Sequence, residues 1–488
     1  MNFKKAHIVL LLIAALVLGF AGAYTGVKMA QPSESENTTN QQQKEDASTA
    51  QGDQKEVSLP EDMDKIGQAI SLIKQNYLEG AEDQQLVEGA IQGMLATLDD
   101  PYSTYMDVEM MKEFDEQIES SFEGIGAEVS KVNDVVTIVS PIKDSPAEKA
   151  GLRPNDQVLS VDDESLDGLD LNEAVNKIRG EKGSKVVIKI QRAGSEEPFE
   201  VELTRDKIPV ETVYNDVKTI DGKKTGVLEV TNFSEHTAEE FEEQLTQLED
   251  DGIEGLVIDV RGNPGGLLDV VEDMLALFIP KDMPYMQIED QNGEKTPYYS
   301  DLDKKKDYPI NVVVDEGSAS ASEILAVAMK EAGYDIVGDT SFGKGTVQQA
   351  VPLGDGSTIK LTFFKWLSPK GNWINEKGVE PTVAVSQPDY FYTNPIQIDK
   401  PLTYDHTDKK IANVQTMLSG LGYDTGRTDG YFNKETEAAV KQFQKENDAK
   451  STGEIDKDTA GMIEAEIMQR IRDGKDDKQL EKALDELY

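Results

Sequence analysis

The sequence contains no cysteine and only three histidines, His7, His236 and His406. Without thiols there are no disulfides, iron–sulfur clusters, thiolate metal sites or cysteine nucleophiles, and little material remains for imidazole chemistry. No metal site and no cofactor is expected, and a hydrolase built from this chain must use another nucleophile and base. Basic residues are scarce as well: 49 stand against 93 acidic ones, for a formal charge of -44. That balance leaves no electrostatic footprint for nucleic acid, which is excluded as a partner. What is present is length. At roughly 150 residues per domain, 488 residues predict about three domains.

Only one long apolar run occurs, IVLLLIAALVLGFAGAYTGV at residues 8 to 27. It is long enough to cross a bilayer as a helix, and Lys4 and Lys5 before it argue for a cytoplasmic amino terminus. Residues 1–30 therefore read as a signal anchor giving a single-pass membrane protein with an extracytoplasmic body. Ala21 and Ala23 also offer a small-residue cleavage site, after which the chain would be secreted to the cell wall. Residues 31–58 are Ser, Gln, Asn, Thr and Glu with almost nothing to bury, which predicts a disordered tether.

Apolar residues then recur at helical spacing, Ile66, Ile70, Ile73 and Tyr77, followed by Leu86, Ala90, Ile91, Met94 and Leu98, so 59–114 reads as an N-terminal helical region broken near Gly80. Residues 115–205 alternate strands with one helix, a small α+β module. Residues 206–384 interleave buried strands (TGVLEV, GLVIDV, NVVVD) with helical segments, the pattern of an α/β domain with a largely parallel sheet. Residues 385–405 read as a linker, 406–472 as a small helical domain in which Asn433 caps a helix, and 473–488 as a charged helical tail without an assigned role.

Three segments of the α/β domain could carry chemistry. GSASASE, Gly317–Glu323, joins the strand NVVVD to the helix ILAVAM, placing Ser320 at the sheet's carboxyl edge where helix amides favour negative charge. The same Ser320 and Glu323 also spell a capping box, in which the serine only satisfies the helix start. SFGKGTVQ follows a second strand and sets Lys344 between two glycines. There it is either a solvated charge in a turn or, once desolvated, a base for a serine. Gln348, four residues on, either positions the amine or faces solvent. LVIDVRGNPGG runs a buried strand into Asn263, Pro264, Gly265 and Gly266, a turn whose amides, with that of Ala321, suit an oxyanion hole.

Taken together, and with LDDPYSTYM before them and LSPKGNWINEKGVEPTV after, these segments resemble the carboxy-terminal processing peptidases, the tail-specific serine/lysine proteases, from about Leu59 through Val385. The resemblance implies a multidomain α/β protein with a ClpP/crotonase-like protease core, an inserted PDZ domain, N-terminal helices and a small all-α C-terminal domain. It implies Ser320 as nucleophile, Lys344 as general base and Gln348 as its support, with no cofactor. It also implies substrates chosen by their carboxyl termini, and a homodimer. FEGIGAEV and SPAEKAGLRPNDQVLSVDD resemble a PDZ domain. Amides around Gly124, Ile125 and Gly126 would then capture the carboxylate of an apolar protein tail, with Arg179 as a sensor of it. The segment from VQTMLSGLGYD to STGEID resembles peptidoglycan-binding domains, implying a cell-wall ligand. Two rival readings accompany this one: a catalytically silent adaptor that binds protein tails and wall polymer, and a hydrolase using His236.

Overall fold

The structure is a computed structural model and describes residues 62–132, 135–192, 195, 197–396, 398 and 400–488. The predicted membrane segment and tether lie outside the described residues. No helix among those described is long and apolar enough to cross a membrane.

Two helices come first, α1 (Asp64–Asn76) and α2 (Asp83–Ala96), and neither buries a residue. The segment after them is not purely helical as expected. A short strand β1 (Thr104–Met106) precedes α3 (Val108–Ile118), whose N-cap Asp107 accepts from the Met110 amide. β1 forms because it finds a tertiary partner, a strand some 250 residues on in the core, and local propensity does not reveal such a partner.

The α+β module follows: β2 (Ser121–Gly124), β3 (Ala127–Val132), β4 (Val135–Pro141), α4 (Pro146–Lys149), β5 (Gln157–Val161), β6 (Glu164–Ser165), α5 (Leu171–Ile178), β7 (Lys185–Gln191), β8 (Phe199–Thr204) and β9 (Asp206–Pro209). Its main sheet has the order β3-β4-β5-β7-β8, so β3 is an edge strand with one side open for pairing. Alternation in KVVIKIQ turns Val186, Ile188 and Ile190 inward against Ala174 and Ile178 of α5. α5 starts at a complete capping box: Asp170 accepts from the Glu173 amide at 2.8 Å and Glu173 from the Asp170 amide at 2.9 Å.

The core contains β10 (Val213–Ile220), β11 (Lys223–Val230), α6 (Thr237–Asp250), β12 (Gly255–Asp259), α7 (Leu268–Ala276), β13 (Met286–Glu289), β14 (Lys295–Tyr298), β15 (Ile310–Val314), α8 (Ala321–Glu331), β16 (Asp335–Gly338), β17 (Thr346–Pro352), β18 (Thr358–Leu367) and β19 (Val383–Ala384). The sheet β10-β11-β12-β15-β16-β19 is parallel except for the β10/β11 hairpin. β12 and β15 are buried along their whole length, which is why they read as unbroken apolar runs and not as alternating ones. Helices α6, α7 and α8 cover one face through Phe241, Leu245, Val271, Leu275 and Leu325. A second, antiparallel sheet, β1-β18-β13-β14 with β17 on β18, stands beside it.

A 3-10 turn at Asp389–Tyr392 leads to α9 (Lys409–Gly420), α10 (Lys434–Glu446), α11 (Lys457–Arg472) and α12 (Lys478–Asp485). Asn433 caps α10, accepting from the Thr436 amide at 2.7 Å. The segment read as a linker is packed: Tyr390 and Ile396 join the core of the helical domain, and Tyr392 donates to Asp339 of the α/β core at 3.0 Å. Its aromatics supply apolar surface that the prolines concealed. The charged tail is helical as expected, and it packs. α12 lays Ala483 and Leu484, and the residues after it Leu487, on Val227, Val257, Val313 and Val337, closing the face of the parallel sheet opposite α6–α8.

Candidate active site

β12 and β15 are neighbours, so the turns leaving their carboxyl ends meet. Asn263 fastens them. Fully buried, it donates to the Val230 carbonyl at 2.7 Å, while its own carbonyl accepts from the Ala319 amide and the Ser322 hydroxyl. Gly265 then lies against the serine: a Cβ there would sit 2.7 Å from the Ala319 carbonyl and 3.0 Å from the Ser320 Cβ, so only glycine fits.

Ser320 is the N-cap of α8 and has φ 55 and ψ -108. This is left-handed backbone for a residue with a Cβ, a conformation costing about 1–3 kcal/mol and held here by the surroundings. Its amide donates to Glu323 at 2.8 Å. Glu323 also accepts from the Ser341 hydroxyl at 2.6 Å, the Gly343 amide at 2.6 Å and the Lys344 amide at 2.8 Å. Burial lifts its carboxyl above the ordinary range while these donors pull it back. All four partners are placed to donate to the two carboxylate oxygens. Glu323 thus does more than cap: it ties the serine loop to the lysine loop.

The lysine loop is braced from above by both tryptophans in the chain. Trp366 Nε1 donates to the Lys344 carbonyl at 2.8 Å and Trp373 Nε1 to the Gly345 carbonyl at 2.7 Å. Lys344 is 2% exposed, and its Nζ has no hydrogen-bond partner. Nζ lies 4.7 Å from the centre of the Tyr102 ring. Its pKa is pushed well below the ordinary lysine value, first by burial and then by the neighbouring Lys360 charge, against the opposing pull of Glu323 and Asp100. The alternative of a solvated surface charge is thereby set aside on geometry.

Gln348 is fully buried on β17, with its amide nitrogen held by Thr346 at 2.8 Å and Thr362 at 3.0 Å. Its Oε1 has no partner and no bond reaches Lys344, so the expected support of the amine is absent in this arrangement. Nor does a hydrogen bond join Lys344 to Ser320. Catalytic hydrogen bonds are often open before substrate arrives. Ser320, Ala321 and Gln348 line one cavity of 520 Å³ with Leu268, Ile288 and Trp366.

The three expected oxyanion donors divide. Gly265 is corrected: its amide donates to Asn263 Oδ1 at 2.8 Å and is not free. Among the described residues, the amides of Gly266 and Ala321 have no acceptor. In the α+β module, the amides of Ile125 and Gly126 are likewise unbonded, at the start of edge strand β3, whereas Gly124 ends β2 in pairing with Asp206. Arg179 stands beside Gly124, over the Phe122 ring at 4.9 Å and 3.5 Å from Glu116 of α3. His236 begins α6 on the outside, away from Ser320, and forms no part of the site. No cluster of metal-ligating side chains occurs among the described residues. Tyr102 falls within LDDPYSTYM, which carried the resemblance but assigned the ring no role, and Lys360 had no motif to announce it.

A buried serine and lysine on converging loops define a hydrolase of the serine class. The profile of peptidase family S41 matches residues 224–385, a PDZ domain 137–192, a putative peptidoglycan binding domain 407–463, and the activating protease CtpB N-terminal domain 16–110. The chain is 51% identical over 475 residues to carboxy-terminal processing protease CtpB of Bacillus subtilis (strain 168), spanning 97% of both proteins. It is 43% identical over 425 residues to CtpA of that organism, spanning 87% of this chain and 90% of the relative. Among solved structures, the photosystem II D1 C-terminal processing protease is 26% identical, with 67% of this chain and 94% of that one covered and a TM-score of 0.41. The chain belongs to the carboxy-terminal processing proteases of family S41, and it is a serine-type peptidase.

Proposed function

We propose that the protein is an extracytoplasmic endopeptidase that selects protein substrates by their apolar carboxyl termini and cleaves them with Ser320 and Lys344. The observation that carries this reading is the Lys344 amine, dry and unbonded, on a loop tied through Glu323 to a strained serine that opens on a cavity. A neutral Lys344 takes the Ser320 proton as Oγ attacks the scissile carbonyl. The amides of Gly266 and Ala321 receive the developing oxyanion. The ammonium then protonates the leaving amine, and water resolves the acyl-enzyme with the same lysine as base. Gln348 Oε1 orients the amine once substrate closes the site.

Substrate tails add to edge strand β3, and the amides of Ile125 and Gly126 take the terminal carboxylate. Arg179 exchanges Glu116 for that carboxylate and so reports occupancy. The N-terminal segment anchors the chain, and the C-terminal domain holds peptidoglycan. A second copy covers α1, α2 and the turn between them, where Leu72, Tyr77, Leu78 and Met94 stand exposed.

The test is cleavage of an unstructured protein ending in apolar residues by wild type, Ser320→Ala and Lys344→Met. Loss of cleavage in both variants with tail binding retained is expected; no cleavage by wild type favours the silent adaptor. Arg179→Ala is expected to abolish activation by tail peptides, and unchanged activation removes the sensor from the scheme.

A further inference from the structure

The site contains a second buried amine that the chemistry above does not use. Lys360 lies on β18, fully buried, its Nζ 5.6 Å from the centre of the Phe114 ring on α3. One short segment roofs both lysines. Tyr102 covers Lys344, and two residues further on Thr104 pairs with Lys360 in the β1/β18 ladder. β18 also carries Thr362, which holds Gln348 and, two residues from Lys360, shares its face of the strand.

We propose that Lys360 is a positioning residue for the Ser320–Lys344 chemistry: two amines enclosed under one segment share a single proton, which Lys360 keeps so that Lys344 retains its lone pair. The inference rests on the assignment of Lys344 as base.

The charges around the pair make the division unequal. Asp100, on the roofing segment, faces both amines and stabilises whichever is protonated. Glu323 from α8 acts on Lys344, and Tyr102, over the Lys344 amine, has its own pKa raised first by burial and then by the charges of Glu323, Asp100 and Glu376. The Phe114 ring of α3 lies by the Lys360 amine, and Gln348 of β17 is held by Thr362 on the strand that carries Lys360. Lys360 is the largest charge lowering Lys344, whereas Lys360 itself falls to about 7, through burial opposed by Asp100. Close like charges in a site of low dielectric titrate as a unit, as paired carboxylates do with the opposite sign. Lys360 never has to touch substrate to act. Its charge supplies part of the bias that lets an amine serve as a base near neutrality.

The test is the pH dependence of kcat/KM for the full chain on an unstructured protein substrate. Lys360→Met removes the neighbouring charge, so the acid limb is expected to move to higher pH by roughly one unit. Activity at pH 7 falls accordingly and returns by about pH 9. Lys360→Arg, which stays charged, is expected to keep the wild-type limb or lower it. Folding is checked by near-UV circular dichroism and by labelling of Ser320 with a fluorophosphonate at high pH. A folded Lys360→Met with an unmoved limb, or with the same fractional loss at every pH, overturns the proposal. So does a limb raised by Lys360→Arg, which remains decisive if the Met variant fails to fold. Failure of the base assignment is a different result: it appears as cleavage surviving in Lys344→Met.

Discussion

The Lys344 ammonium position lies 4.7 Å from the centre of the Tyr102 ring, and the two residues belong to segments 242 positions apart in the chain. The N-terminal region thus supplies the wall that keeps water from the proposed base. A cation over an aromatic face gains about 0.5–2 kcal/mol, which favours the charged form. Burial acts in the opposite direction and prevails, since Lys344 is held well below its ordinary pKa.

Removing the ring therefore separates the two effects. Tyr102→Ala admits water, Lys344 recovers ammonium character, and the acid limb of the rate profile moves up by about one unit, with turnover at pH 7 reduced about tenfold. Tyr102→Phe keeps the ring and changes little. The check is a pair of pH–rate profiles; an unmoved limb in a folded Tyr102→Ala would show that the ring does not govern the amine.

The burden of a dry lysine also falls on stability. In the unfolded chain the amine is protonated up to about pH 10.5, whereas in the folded protein it gives up its proton at lower pH. Folding then pays nothing above pH 10.5, and the penalty grows as pH falls until the folded pKa is reached, below which it stays constant. Lys344→Met escapes this penalty. The variant is expected to lose cleavage yet unfold at higher denaturant than wild type at pH 7, with the difference closing toward pH 10.5. Equal stabilities at neutral pH would place the amine in water.

Ser320 offers a cleaner separation of strain from chemistry. At φ 55 a Cβ is disfavoured and glycine is not. Ser320→Gly and Ser320→Ala both remove the hydroxyl, so both lose cleavage. The glycine variant is expected to be the more stable of the two by about 1 kcal/mol, read from urea unfolding. A glycine variant less stable than the alanine one contradicts the strain argument.

How much of this was legible beforehand depended on where the information lay. Ser320, Lys344 and Gln348 sit in segments whose glycines and strand-to-helix junctions are local, and the order of those segments carried the resemblance. Lys360 was silent, because a lysine within TIKLTFFKWL is indistinguishable from a surface charge until β1 and α3 close over it. Gly265 was assigned a free amide because sequence shows a turn but not that Asn263 would bond it. Tyr390 reads as linker and the helical tail has no role in sequence for a common reason: both are amphipathic pieces whose partner surfaces are distant in the chain.

That tail bears the last prediction. The tail buries Leu484 of α12 and Leu487 beyond it on the open face of the parallel sheet, Asn311 donates to the Ala483 carbonyl at 2.8 Å, and Tyr488 bonds Thr225 at 2.8 Å. Asp477, at the start of α12, joins Asp259 in holding Arg261, two residues before Asn263 and the turn that meets Ser320. Burial opposes the guanidinium charge, but the two carboxylates outweigh it and hold Arg261 above its usual range. Deleting residues 478–488 strips four apolar side chains from the core and should cost roughly 5 kcal/mol or more. Leu484→Ala, a single cavity, should cost about 2–4 kcal/mol with turnover little changed. Gly255→Ala tests the same contact from the other side, because a Cβ there would stand 2.4 Å from the Tyr488 hydroxyl. Asp477→Asn should instead lower turnover more than stability, since it loosens the strand end that carries the turn beside the serine. Thermal unfolding and turnover measured on the same four variants decide it: a deletion that melts like wild type means the tail does not close the sheet in solution, and an Asp477→Asn that matches Leu484→Ala in both readouts means that Arg261 does not transmit its position to the site.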